Sequence, residues 1–88
     1  MSYEVLLHPR AYEFLKKAED EVESRIRDKL KSLSDDPKSG EKLKHSEFWL
    51  QRIADHRAIY EINHKDQQVI ILFIGHRNDV YDDFSRLV

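Results

Sequence analysis

Residues 48–75 read FWLQRIADHRAIYEINHKDQQVIILFIG, and this stretch decides the fold. It contains apolar, strand-forming runs at Phe48 to Ile53, Arg57 to Asn63 and Gln67 to Ile74, with residues 64–66 (HisLysAsp) as the tip of a hairpin. Strand side chains alternate between faces, so Trp49, Gln51 and Ile53 share one face while Leu50 and Arg52 share the other. In the next run Ala58, Tyr60 and Ile62 lie opposite Arg57, Ile59 and Glu61. One face of the predicted sheet therefore suits helix packing and the other carries arginines. The third run is apolar at every position from Val69 to Ile74, which places it inside the sheet rather than at its edge.

Upstream, Tyr3 to His8 reads as a short strand, and Pro9 follows at a position suited to the first turn of a helix. Ala11, Phe14, Leu15 and Ala18 recur at helical spacing, as do Val22, Ile26, Leu30 and Leu33. Asp20 followed by Glu23 has the form of a capping box, which predicts a helix restart near Glu19 and Asp20 and hence a two-helix hairpin. The second helix should stop at Ser34-Asp35-Asp36-Pro37, because proline disfavours helical geometry in the residue before it. Residues 37–47 then read as a loop, and Val80, Phe84 and Leu87 as a short C-terminal helix capped by Asp79. The predicted class is α+β: an antiparallel sheet against an N-terminal two-helix hairpin, in the order β-α-α-β-β-β with a short final helix.

The 88 residues make one domain, 1–88, since a chain this size cannot divide its buried surface between two cores. With no cysteine, disulfides and thiolate metal sites are excluded. The first residues lack the apolar stretch of a signal peptide and no run approaches a membrane span, so the expectation is a cytoplasmic protein with no membrane association. The net charge of −2, from 15 Lys+Arg against 17 Asp+Glu, is not that of a dedicated nucleic-acid binder, so any such activity must come from local arrangement.

That arrangement is cationic. Arg52, Arg57 and Arg77 can share one open face of the sheet, with His76 and Tyr81 beside them and Lys42 or Lys44 nearby. Guanidiniums that keep their charge suit a phosphate, or the extra negative charge of a phosphorane transition state. Such a site could cut RNA without a metal or other cofactor, the RNA's own 2′-hydroxyl attacking the adjacent phosphorus. The bland alternatives are a cross-strand Arg52–Glu61 pair, a turn histidine at 76 and a packing tyrosine at 81. The histidines show no HxxxH or HxH spacing that would suggest a metal site.

The run WLQRIADHRAIYEI followed by VIILFIGHRNDVY resembles the RelE/ParE superfamily of toxins from type II toxin–antitoxin modules. DHRAIYEI is similar to the family's DYRVIYEI strand, and GHRNDVY to its GHRKDVY ending. The RelE branch implies ribosome-dependent cleavage of messenger RNA in the A site, leaving a 2′,3′-cyclic phosphate. On that resemblance Arg52 and Arg57 bind the scissile phosphate, Arg77 stabilises the transition state or protonates the leaving oxygen, and Tyr81 positions the nucleotide. His76, Lys42 and Lys44 become further candidates for catalysis or substrate binding. Leu50 stands where active members often carry a basic residue. The implied partners are a RelB-like antitoxin in a toxin–antitoxin hetero-oligomer, the ribosome and mRNA. The ParE branch, which poisons DNA gyrase with the same scaffold, and an inactive binding partner remain the alternatives.

Overall fold

The computed structural model describes residues 2–76, so the expected C-terminal helix, Arg77 and Tyr81 lie outside the described residues. Strand β1 (Glu4–Leu7) leads into helix α1 (Pro9–Lys17) and helix α2 (Asp20–Asp35). A 3-10 turn (Pro37–Ser39), a short strand β2 (Glu41–Lys42) and strands β3 (Phe48–Ile53), β4 (His56–Asn63) and β5 (Gln68–His76) follow. They form one sheet in the order β1-β5-β4-β3-β2. The α+β class and the helical hairpin are as expected. Within the sheet, β1 runs parallel to β5 where an antiparallel sheet was predicted. The connection after β1 is a helical hairpin rather than a tight turn, so nothing forces antiparallel pairing. The predicted loop at 37–47 holds β2, which pairs with β3.

Each helix start has a local cause. His8 caps α1, its Nδ1 accepting the Arg10 N–H at 3.2 Å, and Pro9 fits the first turn, where no amide donor is needed. The capping box expected at Asp20 does not form: Glu19 is the cap residue without a side-chain bond, and Glu23 instead pairs with Arg27 at 3.1 Å. Asp20, Glu21 and Glu23 still favour this end by placing negative charge at the positive pole of the helix dipole.

The main core lies between hairpin and sheet: Ala11, Leu15, Ile26, Leu30 and Leu33 pack on Ile53, Ala58, Tyr60, Val69, Ile71 and Ile74. Fully burying each large aliphatic side chain contributes about 1.5–3 kcal/mol. On the face turned away from the helices, Leu50, Ile59 and Phe73 form a smaller cluster with Leu43, Phe48 and Leu72. A β-bulge joins the two patterns. Ile59 pairs with Phe73 but Tyr60 pairs with Ile71, leaving Leu72 as the extra residue. The bulge reverses the facing of everything beyond it, so Ile74 joins Val69 and Ile71 on the helix side, while Phe73 and Gly75 face away.

Tyr60 ties the 3-10 turn to the sheet. Its buried hydroxyl donates to the Pro37 carbonyl at 2.7 Å and accepts the Gly40 N–H at 3.2 Å. Burial pushes its pKa up from 10.0 to about 12, because the phenolate would lose its hydration. The protonated form is thus favoured in the folded state. Stability from this group is complete below the ordinary value of 10.0 and is lost as pH rises toward about 12. Urea denaturation across that window should show a steeper loss of stability for wild type than for Tyr60→Phe.

Candidate functional site

The β3–β4 hairpin turns at Ala54 and Asp55, with Ala54 in the left-handed region at φ 53°. This turn sets the register that places Arg52 directly opposite Arg57, and Arg57 directly opposite Gly75. Arg52 and Arg57 therefore share the face turned away from the helices, as their alternation predicted. Like charges placed opposite each other across strands repel, so the pair costs stability in the absence of an anion.

Among the described residues neither guanidinium is spent within the fold. The Arg57 Nη1 donates to the carbonyls of Ala54 at 2.9 Å and His56 at 2.8 Å. Those two bonds use one nitrogen of a group with five N–H donors and fix its plane. Among the described residues nothing bonds the Nε and Nη2 edge, which leaves it for a bidentate contact with an anion. Arg52 does not pair with Glu61, which lies opposite Phe48. Its Nη2 sits 3.6 Å from Glu41 Oε2, and both side chains are about two-thirds exposed, at 66% and 63%. Such a pair is worth about 0–1 kcal/mol and opens readily to a stronger anion.

The other candidates fall elsewhere. His76 lies opposite His56, with ring centroids 6.1 Å apart, and His56 in turn packs edge-on against Phe14 of α1 at 5.7 Å. The bulge has turned His76 to the helix side, away from the arginines. Lys42 pairs with Trp49, also a helix-side residue, and Lys44 occupies the turn between β2 and β3. Leu50 is 1% exposed and forms part of the apolar floor with Ile59 and Phe73, so it presents nothing polar to a ligand.

Two residues join this face that the sequence reading passed over. Glu41 stands opposite Leu50 and brings a carboxylate to Arg52. Arg10, the second residue of α1, places its guanidinium 5.7 Å over the ring of Phe73. No cluster of three or more metal-ligating side chains occurs among the described residues. Nor is any of their helices long and apolar enough to cross a membrane. The face thus offers cations, one carboxylate beside them and an apolar floor, which suits a flexible phosphodiester better than a small buried metabolite.

The family described as the ParE toxin of type II toxin–antitoxin systems (parDE) matches residues 5–81. No curated protein matches the sequence. Among solved structures, the toxin–antitoxin complex RelBE2 of Mycobacterium tuberculosis contains a similar chain, with a TM-score of 0.80 and 23% identity over 88% of this chain and 93% of that one. A mutant of Escherichia coli toxin RelE in the free state gives a TM-score of 0.80 at 17% identity, with all of both chains covered. The archaeal RelE–RelB complex from Pyrococcus horikoshii gives 0.71 at 24% identity, covering 88% of this chain and 97% of that one. At these identities the likeness shows a shared fold.

Proposed function

This chain belongs to the ParE toxin family of type II toxin–antitoxin systems, within the RelE/ParE superfamily, and we propose on that footing that it is an endoribonuclease that cuts messenger RNA in the ribosomal A site. The observation that carries the reading is the Arg52–Arg57 pair: two guanidiniums opposite each other, one clamped with a bidentate edge free among the described residues, the other held among them by an exposed carboxylate.

In this mechanism the scissile phosphate docks on the free edge of Arg57, and Arg52 turns from Glu41 toward a non-bridging oxygen. Glu41, released beside the phosphate, takes the 2′-hydroxyl proton. The 2′-oxygen forms its bond to phosphorus, the bond from phosphorus to the 5′-oxygen breaks, and that oxygen receives a proton, leaving a 2′,3′-cyclic phosphate and a 5′-hydroxyl. Charge that builds on the non-bridging oxygens is met by the two guanidiniums, a contribution of the kind worth about 2.7–4 kcal/mol per donor in other oxyanion sites. Arg77 stabilises the charge on the leaving oxygen, which takes its proton from water, and Tyr81 positions the nucleotide, roles assigned from the GHRNDVY motif. His76, on the opposite face, has no part in it.

A RelB-like antitoxin is proposed as the partner, since the similar structures include RelB–RelE complexes. Primer extension on a defined message in a purified translation reaction tests the reading. Wild type should leave cuts within A-site codons, and Arg57→Lys should reduce them about tenfold, because an ammonium keeps the charge but gives up the clamped bidentate fork. The match to the ParE family favours a second reading, inhibition of DNA gyrase. Intact message together with growth arrest and inhibited supercoiling would establish it instead.

A further inference from the structure

The last residue of β1, Leu7, pairs with Ile71, and the chain then leaves the sheet to begin α1. Beyond that point β5 has no β1 residue beside it, and Arg10 occupies the vacated side. Its guanidinium covers the ring of Phe73, a buried residue on the arginine face, and with His8 and Leu72 the two line a small cavity of about 120 Å³. Phe73 pairs with Ile59, two residues along β4 from Arg57. One strand spacing across and two residues along, Phe73 stands about 8 Å from Arg57.

Arg10 is an exposed cation with no acidic partner among the described residues, held by an aromatic face that satisfies its position without neutralising its charge. At 5.7 Å from the ring centroid the guanidinium lies in cation–π range, a contact that uses none of its N–H donors. Between Arg57 and Arg10 the β5 position facing the same way is Gly75, which puts no side chain in the path. Arg52, Arg57 and Gly75 thus form one cross-strand row, and Arg10 lies diagonally from it, over Phe73 two residues back along β5.

We infer that Arg10 binds the phosphate next to the scissile one, so that the single-stranded RNA crosses the strands from Arg52 toward the start of α1. This inference rests on the nuclease reading. It makes Arg10 a substrate-binding residue that holds the strand straight across Arg57, and it assigns the Phe73 ring as the support for that contact.

Synthetic messages carrying a neutral methylphosphonate one linkage to the 5′ or the 3′ side of the scissile phosphate test it in programmed ribosomes under single-turnover conditions. The variant is Arg10→Met, which keeps an unbranched apolar stem over Phe73 and removes the charge. One of the two methylphosphonates should slow wild type about tenfold, as expected for a lost charge-assisted hydrogen bond. Arg10→Met should be slowed about equally on the natural message, and the same methylphosphonate should then cost it nothing more. Equal cutting by Arg10→Met and wild type would overturn the inference while leaving the nuclease reading intact. Additive losses would overturn it as well, by showing that Arg10 acts elsewhere. No cutting by wild type on any message would remove the nuclease reading and this inference with it.

Discussion

Glu41→Gln is expected to slow single-turnover cleavage by about 10²–10⁴-fold, the usual loss when a positioned general base is removed. Glutamine has the shape of glutamate and can still hydrogen-bond Arg52, but it cannot take the 2′-hydroxyl proton. The change should leave the fold alone, because the Glu41–Arg52 pair is open to solvent on both sides and such pairs contribute about 0–1 kcal/mol. The thermal midpoint should therefore move by no more than a few degrees. A pH–rate profile separates proton transfer from simple loss of charge. With the carboxylate gone the residual reaction depends on hydroxide, and its rate should climb more steeply with pH than that of wild type. Glu41→Gln cutting at the wild-type rate would show that the proton leaves by another route.

Glu41 also shows where the sequence stops being informative. A strand of two residues has no alternation to detect, so the sequence shows a loop at Glu41 and Lys42, and only pairing with Leu50 and Trp49 gives them faces. The longer strands were legible because their apolar residues recur every second position. That period placed Arg52 and Arg57 on one face, and the structure keeps them there. From Val69 to Ile74 every residue is apolar, so the same rule had no purchase, and the bulge that leaves Leu72 unpaired left no mark in the pattern. That single extra residue determines which way Gly75 and His76 face. Adjacency in GHRNDVY suggests a histidine beside the arginines, whereas His76, paired with His56, lies on the side of the sheet opposite Arg57.

Arg10 was hidden for a different reason. Its helical position was clear, yet its role depends on where β1 ends relative to β5, a parallel pairing between strands separated by most of the chain. Leu50 gains a physical meaning from the fold. As a member of the apolar cluster with Ile59 and Phe73 it supplies an apolar floor beside Arg52 and Arg57, and the positive charge of this face comes from those two residues and Arg10.

Gly40→Ala should destabilise the protein by about 2–4 kcal/mol, at the upper end of what overpacking costs. The reason is space and not backbone conformation, since Gly40 sits at φ −79° and ψ −169°, which any residue adopts. A Cβ there would lie 2.5 Å from the Tyr60 hydroxyl and 2.7 Å from the Leu50 carbonyl oxygen. Neither neighbour is free to retreat, because Tyr60 is buried and bonded to Pro37, and Leu50 belongs to the β3 backbone. For a domain of this size the loss corresponds to a drop in thermal midpoint of about 10–20 °C. Tyr60→Phe alone should cost about 1–3 kcal/mol, the penalty for leaving the Pro37 carbonyl and the Gly40 N–H unpaired. In the double variant the hydroxyl that the new methyl would strike is gone. Its cost should therefore fall short of the sum of the single costs by about 1 kcal/mol or more, a coupling measurable by urea denaturation. Strict additivity would place the whole clash at the Leu50 carbonyl. The displacement would then fall on β2, and cleavage should drop with stability because Glu41 moves away from Arg52.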